Sequence, residues 1–147
     1  MGENACNGIH GANRLASISL LESLTFGVRC GRYLAEHVHP PARKLIATIP
    51  GWVYPEKQEE FDEVLIGNDL LSIQSLMWNY VGIIRTRKRV LRALSDLNYL
   101  DHRIESFYKE ARVSRELIEL RNAVLAATHI ARAAARNKTS VGCHFLE

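Results

Sequence analysis

Several things are scarce in this chain, and each scarcity removes a class of protein. Cysteine occurs three times, at Cys6, Cys30 and Cys143. An odd number at wide spacing supports neither a disulfide framework nor a zinc site, and reads as reduced thiols. No apolar run approaches the roughly 18 residues of a membrane span. The first residues, Met1-Gly2-Glu3-Asn4, are polar and lack the pattern of a signal peptide. A cytoplasmic protein with no membrane segment is the expectation. Strong charge of one sign is also missing. The net charge is +3 and the isoelectric point near 8.9, with acidic and basic residues interleaved, so nucleic acid is not an expected partner.

Site motifs are sparse too. His37 and His39 lie two apart, while His102, His129 and His144 stand alone. None has the i, i+4 histidine or acidic partner that recommends a metal, so no metal ligand set is expected. Cys143 and His144 are sequence neighbours, whose side chains rarely converge into a catalytic pair. No Gly-x-Ser-x-Gly elbow and no strand-borne GxGxxG is present. The run Arg85-Thr86-Arg87-Lys88-Arg89 has no interleaved aromatic for base stacking. It reads as a solvated or interface face, with Arg85 available to an acidic partner.

What the chain does have is helical patterning. Its 147 residues are 47% hydrophobic and 24% charged, enough for one domain with its own core. From about Ser17 to His37, Leu20, Leu21, Leu24, Val28, Leu34 and Ala35 form a stripe. With Phe26 they nearly encircle the first half, which is therefore expected to be buried. His39-Pro40-Pro41 stops that helix. All four prolines fall within residues 40–58, a linker in which Trp52, Val53 and Tyr54 are expected to pack against a neighbour.

A second helix is predicted from Asn68 or Asp69 to Gly82, with Leu70, Ile73, Leu76, Met77 and Tyr80 on one face. A third, about 86–111, carries Val90, Leu94, Leu97, Leu100, Ile104, Phe107 and Ala111 in a sustained seam. Ser114 caps a fourth that ends near Asn137, with Leu117, Leu120, Val124, Ala127, Ala131 and Ala134 in register. Its alanine-rich end admits close approach by a neighbouring helix. The fold class is all-α: a loop and helix over residues 1–39, a linker over 40–67 and a three-helix bundle over 68–147. No strand is expected.

The chemistry gathers near the start. Asn7 to Ala16 is a loop with Gly8 and Gly11, where φ > 0 or close backbone approach is free. It carries His10, Asn13 and Arg14 and feeds straight into the first helix, whose Ser17 or Ser19 can cap it. A helix N-terminus offers open amides and partial positive charge, suited to an anion or an electron-rich ring. Arg14 adds a planar fork of donors matched to a carboxylate. The same residues also suit a plain surface turn, with Arg14 in solvent and His10 on a turn carbonyl.

The segment His10-Gly11-Ala12-Asn13-Arg14-Leu15-Ala16-Ser17-Ile18-Ser19-Leu20-Leu21-Glu22 resembles a signature of the succinate dehydrogenase/fumarate reductase flavoprotein family, which includes the L-aspartate oxidases. Met77-Trp78-Asn79-Tyr80-Val81-Gly82-Ile83-Ile84-Arg85-Thr86 is similar to the bundle motif of the L-aspartate oxidase branch. Arg112-Val113-Ser114 with Leu120-Arg121-Asn122, and Lys138-Thr139-Ser140-x-Gly142-x-His144, resemble its last-helix entry and the stretch after it. The resemblance implies the C-terminal part of a longer enzyme with FAD-binding and capping domains upstream. That enzyme would oxidise L-aspartate to iminoaspartate with FAD, towards NAD synthesis, and its isolated C-terminal part would be inactive.

The resemblance also implies roles for single residues. Glu3 would bond the FAD ribityl region, Ser19 and Leu20 would meet the flavin ring through backbone groups, and Arg14 would hold a carboxylate of L-aspartate or of a dicarboxylate such as fumarate. Ile18 departs from the usual asparagine and Val141 from the usual arginine. A succinate dehydrogenase or fumarate reductase flavoprotein subunit, or a non-enzymatic helical interaction module, are the alternatives.

Overall fold

The structure is a computed structural model that describes residues 7–39, 43–51, 53–54 and 62–147. It divides into two units, Met1–Trp52 and Val53–Glu147.

In the first unit, the loop from Asn7 leads into α1 (Ile18–His37), followed by the short α2 (Arg43–Ala47). The Val38 amide donates to the Leu34 carbonyl at 3.0 Å and closes the last turn of α1. The Tyr33 and His37 rings stack there at 4.2 Å between centroids. The expected burial of α1's first half is not found: no α1 residue is buried, and Leu20 is 81% exposed. An amphipathic stripe states only that a helix wants cover, not that the same stretch of chain supplies it. Val53 and Tyr54 are likewise exposed, against the expected packing, and Trp52 lies outside the described residues.

The second unit holds α3 (Glu63–Val81), β1 (Ile84–Arg85), α4 (Arg87–Glu110), α5 (Arg115–Arg136) and β2 (Phe145–Leu146). Each helix starts on a side-chain cap. Asp62 accepts from the Val64 and Leu65 amides at 2.9 and 3.4 Å, Thr86 Oγ1 from Arg89 N at 3.2 Å, and Ser114 Oγ from Leu117 N at 3.2 Å. The expected start of α3 at Asn68 or Asp69 is corrected by Asp62. Its carboxylate satisfies two of the orphan amides of a helix end, and the helix then runs through Gly67 and Asn68 despite their weak propensity. Asp69 pairs instead with Arg103 of α4.

Arg103–Asp69 and Arg121–Glu105 cross the α3/α4 and α4/α5 seams, and both seams are antiparallel because their connections are short. The core is Ile66, Ile73 and Val81 of α3, Val90, Ala93, Leu97, Leu100 and Ile104 of α4, and Leu117, Leu120, Val124, Ala127, Ala131 and Ala134 of α5. Ala111, just past α4, is fully enclosed. The α4 and α5 stripes read from the sequence are these faces, with Leu94 and Phe107 half-buried at the margin and Ala93 added.

The absence of strands is also corrected. β1 and β2 pair in parallel, Ile84 opposite Phe145 and Arg85 opposite Leu146, and Glu147 N donates to Arg85 O at 2.9 Å. Two residues per strand are too few for alternation to register in sequence. The tail reaches β2 through a turn in which Val141 and His144 bridge and Gly142 takes φ +58°, a left-handed value that glycine adopts without strain.

Candidate functional site

The loop before α1 is built on two left-handed glycines, Gly8 at φ +80° and Gly11 at φ +60°. Both have open space where a Cβ would sit, so backbone conformation rather than crowding calls for glycine. Asn7 Oδ1 accepts from the Ile9 amide at 3.0 Å, an Asx-type turn that starts the loop. Its amide nitrogen donates to Glu22 Oε1. His10 Nε2 meets the other carboxylate oxygen, Glu22 Oε2. His10 therefore bonds a carboxylate, not a turn carbonyl.

Glu22 thus closes the loop onto the helix that follows it. The His10 and Glu22 side chains are only 19% and 12% exposed in a unit whose helix has no buried residue. The His10 hydrogen bond is the largest influence and holds the Glu22 carboxyl below the usual carboxylate range; burial, second in size, opposes it, and the His10 charge, Asn7 and the Arg14 charge add to the lowering. Arg14 is exposed and within electrostatic reach of Glu22. Neither Glu22 nor Asn7 stood out from sequence spacing. The signal that marks them is a carboxylate one turn inside a helix, facing a loop that carries a histidine and an asparagine.

Among the described residues, the start of α1 differs from those of the other long helices, α3, α4 and α5. Ser17 occupies the N-cap position but is left-handed, φ +71°, and makes no side-chain cap bond; the first turn carries no acidic residue. The expectation that Ser17 or Ser19 caps the helix is corrected: Ser17 makes no side-chain cap bond, and Ser19 lies within the helix. Ser17 itself supplies no side-chain acceptor to the first-turn amides at the positive end of the helix dipole. Ser19 and Ile18 are half-buried and Leu20 exposed. Open amides beside an arginine suit a ring or carboxylate carrying negative charge, so the described part of this segment fits a flavin and a substrate carboxylate. Glu3 lies outside the described residues.

A second polar cluster ties the tail to the bundle. Arg85 Nε donates to the carbonyls of Val81 at 3.1 Å and Gly82 at 2.8 Å, and its Nη1 donates to His144 Nδ1 at 2.9 Å. A guanidinium has no lone pair to offer, so the proton on this imidazole is at Nε2, which donates to Asn137 O at 3.1 Å. Ser140 Oγ accepts from Leu146 N at 2.9 Å. Within this unit Arg85 therefore bonds two carbonyls and an imidazole. Val141, the second departure noted above, contributes backbone to this turn and leaves its side chain exposed. Among the described residues, no group of three or more His, Cys, Asp or Glu is placed to hold a metal ion. No described helix is long and apolar enough to cross a membrane.

Comparison with known proteins adds to this geometry. Residues 71–147, from the third turn of α3 to Glu147, match the family model described as the fumarate reductase flavoprotein C-terminus. An L-aspartate oxidase of Acinetobacter baylyi is 39% identical over 145 residues, covering 99% of this chain and 26% of the relative. L-aspartate oxidase 1 of Ralstonia nicotianae is 40% identical over 147 residues, with 99% and 27% covered. The chloroplastic L-aspartate oxidase of Oryza sativa is 32% identical over 163 residues, with 99% and 24% covered. The chain spans about a quarter of the length of the curated relatives it matches. With more than half its residues on that family model and a bundle closed by the tail the model includes, this chain belongs to the fumarate reductase flavoprotein C-terminal family.

Proposed function

We propose that this chain is the C-terminal part of an L-aspartate oxidase, acting in the cytoplasm with FAD-binding and capping domains that complete the site. The reaction is oxidation of L-aspartate to iminoaspartate, a step towards NAD synthesis. The observation that carries the reading is the start of α1, where Ser17 makes no side-chain cap bond and the helix begins four positions after Arg14. The names of the relatives, all L-aspartate oxidases at 32–40% identity, support the choice of substrate.

In this reading FAD, when bound, supplies the hydride acceptor. The chain's own residues provide one wall of the site. The Arg14 fork holds a substrate carboxylate and so fixes the orientation of the Cα–H bond. The backbone around Ser19 and Leu20 presents donors and the helix dipole towards a ring that gains negative charge. Glu3 serves the ribityl chain. Ile18 presents an apolar side chain at the first helical position, where the related enzymes use a polar one.

A chimera tests this. The chain is joined to the FAD-binding and capping domains of the Acinetobacter baylyi relative, purified with FAD, and mixed anaerobically with L-aspartate. The expected result is loss of oxidised-flavin absorbance with L-aspartate and none with D-aspartate. The chain alone, mixed with FAD and passed through gel filtration, is expected to emerge without flavin. A folded, flavin-loaded chimera that L-aspartate leaves oxidised overturns the proposal.

A further inference from the structure

We infer that Glu22 is the positioning residue of the Arg14 loop, a carboxylate latch that holds the loop and the open start of α1 in one arrangement. The inference rests on the function proposed above for what the latch positions, but the latch itself is a property of the chain alone. Two loop side chains converge on one carboxylate: Asn7 on Oε1 and His10 on Oε2. Those two residues bracket Gly8, and His10 precedes Gly11. Both glycines sit at left-handed φ and give the loop little stiffness of its own.

Apolar packing does not fix the loop either, since Ile9 and Leu15 are 62% and 67% exposed. The pair of charge-assisted hydrogen bonds from Asn7 and His10 ties it to α1. Their anchor lies on α1, just past the first turn. Arg14 falls between the last latched residue, His10, and the start of α1 at Ile18, four positions from each. Opening the latch would remove the tie between the segment that carries Arg14 and α1, and so loosen the alignment that a bidentate carboxylate site needs.

The latch should therefore follow the ionisation of Glu22. The charged groups that face this carboxyl, His10 and Arg14, both lower its pKa. A lowered folded value places the stabilisation above the ordinary value of 4.5, with loss as pH falls through the lower folded value. Loop order should accordingly persist at pH 5 and above and fall away at more acidic pH, while the apolar core of the bundle holds.

The test uses the whole 147-residue chain and backbone NMR. Heteronuclear NOE and amide exchange are read at residues 8–17, with the Arg14 Nε–H resonance as the local probe. The amides of Gly27 and Gly31 report on α1. Wild type is expected to show an ordered loop and a dispersed Arg14 resonance, both lost on acidification below the ordinary carboxylate value of 4.5. Glu22→Ala is expected to lower the loop NOE to tail-like values at pH 7 and to move Arg14 Nε–H to its free-peptide position, with Gly27 and Gly31 unchanged. Glu22→Gln, which keeps an acceptor for Asn7 without the charge, should retain partial order and lose the acid-dependent step.

An equally ordered loop in Glu22→Ala, or the same acid step in Glu22→Gln, overturns the latch. Loss of the α1 amide signals together with the loop would show Glu22 to be a helix-stability residue, which also overturns it. None of these readouts involves flavin or aspartate, so a failed chimera and a failed latch remain separate results.

Discussion

Thr128 is the one described side chain whose buried polar atom finds no partner: it is 4% exposed and its Oγ1 makes no hydrogen bond. A hydroxyl buried without a partner costs on the order of 1–3 kcal/mol. Thr128→Val keeps the shape and removes the oxygen, so it is expected to stabilise the bundle by about 1 kcal/mol, read as a higher urea midpoint at unchanged m-value. At this scale the sequence was informative where chemistry is local. The glycines at 8 and 11 and the cap at Ser114 follow from residue type. Glu22, His144 and Thr128 did not, because their roles depend on partners 12, 59 or more positions away or on a burial that the alanine-rich register does not reveal.

The elements divide along the same line. α4 and α5 were legible almost to the residue, since a 3.6-residue stripe, a threonine or serine cap and a short connection all point to the same answer. The start of α3 was misplaced by five or six residues because Gly67-Asn68-Asp69 looks like turn chemistry, whereas Asp62, with Glu63 after it, supplies the true cap. β1 and β2 could not be seen at all: their pairing joins residues 61 positions apart. At the α5 start, Ser114 bonds the Leu117 amide, and Glu116 is held below the usual carboxylate range by its own backbone amide and by Ser114. Ser114→Ala is expected to cost about 1 kcal/mol in chemical denaturation, with the far-UV spectrum of the folded chain unchanged.

The whole molecule joins two kinds of structure. The bundle buries its own stripes, pairs its tail with β1 and accounts for its exposed charges by surface ion pairs such as Arg92–Asp96 and Arg115–Glu119, which contribute little individually. The first unit instead leaves Leu20, Leu21 and Leu24 exposed at 65–81%, a demand for apolar cover that fits a chain spanning about a quarter of its relatives' length. Sequence patterning announced that demand without saying what meets it.

The direct test of the site is the affinity of the flavin-loaded chimera for succinate, a dicarboxylate that cannot be deaminated, in wild type and Arg14→Leu. Loss of a bidentate charge-assisted pair, roughly 2–3 kcal/mol, should raise the Kd by about 30-fold to 150-fold with flavin content unchanged. An Arg14→Leu chimera that keeps its flavin and binds succinate as tightly as wild type would contradict the assignment of this loop to a dicarboxylate beside the flavin.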